Sequence, residues 1–169
     1  MKFSILFPGQ GSQSQGMGQF LFNEFKEARH VFEEASDALQ FDMKKLCFNG
    51  SDEELALTEN TQPALLTAST ATAEVLTRQF GVQTEATAGH SIGEYSSMVL
   101  AGVMSFTDAV KAVRFRGQAM QSAVPAGQDA DQLDGVRECR GVPARDRRPR
   151  HRDEPRGPAR RLPRPVHPA

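Results

Sequence analysis

Thr84-Glu85-Ala86-Thr87-Ala88-Gly89-His90-Ser91-Ile92-Gly93-Glu94-Tyr95 runs from a weak strand into a turn set between two glycines. A helical run through Ala101 follows, closed by Gly102. The central five residues match G-x-S-x-G, the nucleophile elbow. There a sharp strand-to-helix turn holds the serine in a strained conformation with its hydroxyl exposed, and the glycines permit close backbone approach. The helix behind the turn offers backbone N–H donors and a positive dipole end to an oxyanion. Taken alone, the five residues also fit a Gly/Ser turn that merely joins two elements. The strand before and the helix after favour the elbow.

Working outward, Lys2-Phe3-Ser4-Ile5-Leu6-Phe7 reads as a short buried strand, ended by Pro8-Gly9 and a polar Gly/Ser/Gln loop to Gly18. Two phosphate-binding readings of that loop fail. A dinucleotide fingerprint from Gly9 needs glycine where Ser14 stands, and a P-loop from Gly11 has Gly16 but then Met17 in place of lysine. A glycine-rich backbone remains from which a second N–H can point at the elbow serine.

Between these segments, Phe20 to Phe25 and Ala28 to Leu39 carry apolar residues at helical spacing. Ser51-Asp52-Glu53-Glu54 fits a capping box. Gln62 to Phe80 reads as a long helix with Thr61 as its cap, Pro63 in its first turn and Gly81 past its end. Ser105 opens another capped helix, to about Ala123. The order of strand, loop, helices, strand, tight turn and helix predicts an α/β domain.

Composition changes sharply along the chain of 169 residues. Residues 1–128 hold 9 basic and 14 acidic side chains, and residues 129–169 hold 11 and 7. All 11 Phe, the single Tyr and all 6 Met lie in the first part. From Arg137 to Ala169 there are 11 Arg and 7 Pro in 33 residues and no periodic apolar pattern, so this segment is expected to be disordered. No apolar run reaches the roughly 18 residues of a membrane span. Phe3 to Phe7 is too short for the apolar region of a secretory signal. Cys47 and Cys139 show no pairing or zinc-ligand pattern, Cys47 reads as a small buried hydrophobe, and a cytoplasmic protein with free thiols is expected.

Four segments occur together: Phe7-Pro8-Gly9-Gln10-Gly11-Ser12-Gln13, Thr61-Gln62-Pro63-Ala64, Gly89-His90-Ser91-Ile92-Gly93-Glu94-Tyr95 and Arg114-Phe115-Arg116-Gly117. In order and spacing the chain, from about Lys2 to Gly127, resembles the malonyl-CoA:acyl carrier protein transacylases. It is closer to the discrete bacterial fatty-acid enzyme than to a polyketide synthase domain, since the first motif lies a few residues from Met1. The resemblance implies a parallel-sheet core of the α/β-hydrolase-like acyltransferase kind over residues 1–128, without the family's ferredoxin-like subdomain.

The resemblance further implies that Ser91 is the nucleophile, that the backbone N–H groups of Gln10 and Ile92 form the oxyanion hole, and that Arg116 binds the free malonyl carboxylate. A planar guanidinium can hold a carboxylate through two parallel hydrogen bonds, which selects malonyl over acetyl. Gln62 would line the same pocket, with His90 structural or pocket-lining. Read without the family, Arg116 equally fits a surface arginine on an amphipathic helix, and Gln62 an ordinary first-turn residue. The implied partners are malonyl-CoA and acyl carrier protein, in a ping-pong cycle with no metal or redox cofactor. The family is typically monomeric.

The family's catalytic histidine and the residue orienting it lie beyond the resembling part, while His30, His151 and His167 stand in no matching motif. Loss of the histidine from a subtilisin-type triad costs about 10⁶ in kcat, so weak or no turnover is expected. Residues 129–169 are expected to derive from a frameshift in GC-rich DNA. The rival is a basic tail that binds nucleic acid electrostatically, disfavoured by its lack of aromatic residues for base stacking. A thioesterase or polyketide-type acyltransferase is the other alternative, sharing the elbow; a thioesterase would have no need of Arg116. An incomplete parallel sheet is expected to leave open strand edges and apolar faces, and hence to aggregate.

Overall fold

The computed structural model describes residues 2–123, so the expectations for the segment 129–169, including its disorder, lie outside the described residues. The element order is β1 (Lys2–Phe7), α1 (Gln19–Glu24), α2 (Lys26–Leu39), α3 (Met43–Asn49), α4 (Asp52–Ala56), α5 (Thr58–Arg78), β2 (Gln83–Gly89), α6 (Gly93–Leu100) and α7 (Phe106–Ala123). The two strands pair in parallel, with Phe7 opposite Gly89. Both strands therefore leave the sheet at the same end, β1 into the glycine loop and β2 into the turn at Ser91. Carboxyl ends of parallel strands are where sites of α/β proteins gather.

The core lies among the helices. Phe32 of α2, Met43 and Cys47 of α3, Leu66 and Val75 of α5, Ile92, and Val110 and Val113 of α7 are all almost fully buried in one cluster. Burial pushes the Cys47 thiol up to about 12, which suits a packing residue and not a nucleophile. The rings of Phe22, Phe32 and Phe48 meet edge-on or tilted, with centroids 5.1–5.8 Å apart.

The expected buried strand at Lys2 to Phe7 is corrected here. Only Phe7 is buried, and Leu6 is 78% exposed. The cause is incomplete cover: β1 has one strand neighbour among the described residues, and an open groove of about 410 Å³ lies between it and α5.

Helix ends follow local chemistry where the sequence supplies it. Ser51 and Glu54 form the expected capping box, and the Ser105 hydroxyl accepts the Asp108 N–H at 3.1 Å. The short helix α3, not anticipated, begins where Asp42 accepts the Lys45 N–H at 2.9 Å. The start of α5 is a second correction. It begins at Thr58, one turn before the expected Gln62, so Pro63 sits inside the helix and Thr61 is not the cap. The Thr61 hydroxyl donates to the Leu55 and Leu57 carbonyls, and the Thr58 N–H is taken by Gln121 Oε1 of α7 at 3.0 Å.

Candidate active site

Ser91 has φ 52°, a left-handed conformation that non-glycine residues rarely hold. The turn is locked on both sides. His90 N–H donates to the Phe7 carbonyl at 3.1 Å, extending the strand pairing by one bond, and Gly93 N–H donates to the His90 carbonyl at 2.9 Å. A side chain on Gly93 would put its Cβ 2.5 Å from the Phe7 carbonyl oxygen and 2.7 Å from that of Pro8. Only glycine lets the start of α6 lie directly on the end of β1, and this seats the loop after β1 against the serine turn. The sequence reading of the elbow thus holds in its geometry.

Ile92 has its side chain in the core, 1% exposed, and its backbone opens α6 directly after Ser91. Gln10 lies on the facing loop, where its side-chain amide donates to Thr58 Oγ1 at 3.3 Å. His90 is exposed, with its imidazole packed over Gly9, where no Cβ would fit. His30, the other described histidine, lies on α2 in an i,i+4 pair with Glu34 at 3.9 Å. Among the described residues, the side-chain partner of Ser91 Oγ is Arg116 and not an imidazole.

Arg116, half-buried on α7, is held from α5. Its Nη1 donates to Gln62 Oε1 at 2.6 Å, and its Nη2 reaches Ser91 Oγ at 3.4 Å. Gln62 is completely buried, and its Nε2 points to Met120 Sδ at 3.3 Å. A fully buried amide must be satisfied at both ends, and here one end orients the guanidinium. Ser91, Gln62 and Arg116 come from three different elements and meet at one point. The arrangement places a fixed cation beside an exposed serine hydroxyl, a geometry that could receive a molecule carrying a carboxylate near a carbonyl. Among the described residues there is no cluster of three His, Cys, Asp or Glu suited to a metal, and no helix is long and apolar enough to cross a membrane.

Gln121 and Arg114, which fasten α7 to the start of α5, were missed by sequence reasoning as site-supporting residues. Neither has a local signal, since their partners lie more than 50 residues away.

Residues 5–147 match the family described as "Acyl transferase domain". The malonyl CoA-acyl carrier protein transacylase of Bacillus subtilis is 52% identical over 122 residues, covering 72% of this chain and 30% of that protein. That of Haemophilus influenzae is 49% identical over 130 residues, covering 76% and 42%. Among solved structures, the malonyl CoA-acyl carrier protein transacylase of Clostridium perfringens superimposes with a TM-score of 0.71 at 39% identity, covering 83% of this chain and 47% of that one. A malonyl-transacylase solved in complex with its type II polyketide acyl-carrier protein gives 0.70 at 46% identity, covering 74% and 40%. The chain spans less than half the length of these relatives.

Proposed function

The chain belongs to the acyl transferase domain family, and from that premise we propose that it takes a malonyl group from coenzyme A onto Ser91 and passes it to the phosphopantetheine thiol of an acyl carrier protein. The observation that carries this reading is the Arg116 guanidinium, fixed by Gln62 at 2.6 Å and lying 3.4 Å from Ser91 Oγ. An acyl group without a free carboxylate would leave that half-buried cation without a counter-charge.

In the first half-reaction Ser91 Oγ attacks the thioester carbonyl, its proton leaves to a base, and the C–S bond breaks to release the coenzyme A thiol. The backbone N–H groups of Ile92 and Gln10 take the developing oxyanion, in a site preorganised by the Gly93 contact. In the second half-reaction the carrier thiol attacks the seryl ester and the Ser91 hydroxyl is restored. Neither half-reaction changes oxidation state, so no redox cofactor is needed. The substrates are those of a cytoplasmic protein. Among the described residues no imidazole bonds Ser91, and a base that takes its proton would speed acylation as in other serine–histidine sites.

The test is intact-mass labelling of the full chain with malonyl-CoA or acetyl-CoA. One malonyl adduct is expected, absent in Ser91→Ala, and Arg116→Ala should lose malonyl labelling by tenfold or more, about the worth of a charge-assisted pair, while labelling by acetyl-CoA stays or rises. Equal labelling of the wild type by both thioesters would overturn the malonyl assignment.

A further inference from the structure

We infer that Arg114 is a positioning residue, whose guanidinium stands in for the N–H that Pro63 cannot give to the Glu59 carbonyl and so sets Gln62 against Arg116. The functional half of this inference rests on the acyl-transfer reading above.

In a regular helix the N–H of residue 63 would bond the carbonyl of residue 59. Proline has no N–H, and its ring crowds that carbonyl. Because α5 begins at Thr58, Pro63 lies far enough inside it to leave the Glu59 carbonyl without its helical donor. Arg114 Nη1 donates to that oxygen at 2.7 Å. The same nitrogen reaches Asn60 Oδ1 at 2.6 Å, Nη2 lies 3.7 Å from the Glu59 carboxylate, and the guanidinium covers the Phe41 ring at 5.4 Å. The Arg114 side chain is only 22% exposed, so these bonds form largely out of water. The planar guanidinium holds its donors in a fixed geometry, so Nη1 serves both oxygens while Nη2 faces the Glu59 carboxylate, an arrangement that the single flexible ammonium of a lysine would reproduce only in part.

The placement links this repair to the site. Gly117 touches α5 at Thr58 and Glu59, where a Cβ would come within 2.6–2.7 Å of backbone atoms. Arg114 and Arg116 lie on opposite flanks of Gly117 around α7, three residues and one residue before it. Helix α7 therefore straddles the start of α5, gripping residues 59 and 60 on one flank and presenting Arg116 to Gln62 on the other. Gln62 follows Asn60 by two residues and is fully buried, so it has no room to adjust separately if that turn moves. A shift of about 1 Å in a positioning contact is enough to cost a site much of its selectivity.

A double-mutant cycle on the full chain tests this, with Arg114→Met, Pro63→Ala and the two combined, since alanine restores an N–H to the helix. Arg114→Met should lower the malonyl-to-acetyl labelling ratio at Ser91 by about tenfold with acetyl labelling unchanged, the scale of one charge-assisted hydrogen bond. Pro63→Ala should recover most of that ratio in the double variant, and Arg114→Lys should recover part of it. An equal fall in both labelling rates, or a double variant no better than Arg114→Met, would overturn the inference. If the wild type itself labels with the two thioesters equally, the malonyl assignment above fails instead. Urea midpoints then decide the structural claim: a smaller loss from Arg114→Met in the Pro63→Ala background supports it, and an equal loss refutes it.

Discussion

At Ser91 a side chain occupies a backbone conformation, φ 52°, that favours glycine. A non-glycine residue there carries roughly 1–2 kcal/mol of strain, which the packing of Gly93 on β1 maintains. Both Ser91→Ala and Ser91→Gly remove the hydroxyl, but only the second removes the strained Cβ. Ser91→Gly should therefore unfold at higher urea than Ser91→Ala, by about 0.5–1 kcal/mol after the entropy cost of glycine. Equal midpoints would mean that the turn is relaxed with a side chain in place. Strain of this kind is informative because it is retained at the hydroxyl whose exposure the proposed acyl transfer needs.

At the scale of elements, the contact between α5 and α7 determines whether Gln62 and Arg116 meet. Gly117→Ala would set a methyl against the Glu59 Cα and the Thr58 carbonyl, backbone atoms of a helix that cannot yield as a flexible side chain would. The expected outcome is a loss of about 1–3 kcal/mol in urea unfolding, with malonyl labelling falling more than acetyl labelling because Arg116 moves with its helix. The elbow was legible in the sequence because its requirements are local: two glycines, a strand before and a helix after. The capping box at Ser51 was legible for the same reason. The start of α5 was not, because Pro63 reads as a first-turn residue until Arg114 and Gln121, from a helix more than 50 residues away, are seen serving its neighbours. Likewise nothing local in Gln62 or Arg116 says that they touch. Only their resemblance to the family's motifs pointed to one pocket, and their 2.6 Å bond spans 54 positions of sequence.

On the largest scale, that of all the described residues together, the helices form a closed core while the sheet does not. Parallel strands are ordinarily buried on both faces, and a two-stranded sheet is marginal by itself. Here Leu6 is 78% and Phe3 43% exposed, and the groove beside β1 is lined by apolar residues that include Met17, Leu65, Ala68 and Leu76. The sequence reading of β1 as buried failed because an apolar strand reports only that it needs cover, not that cover is present among the described elements. Open strand edges and exposed apolar side chains favour self-association. Sedimentation velocity should therefore show mass-average size rising with protein concentration. Leu6→Lys should suppress that rise with little change in the unfolding midpoint, because a side chain so exposed contributes little packing and a charge on an edge strand opposes pairing. Monomeric sedimentation of the wild type across the concentration range would show that the β1 surface is covered in solution. An unfolding midpoint lowered by Leu6→Lys would place that cover within the chain itself.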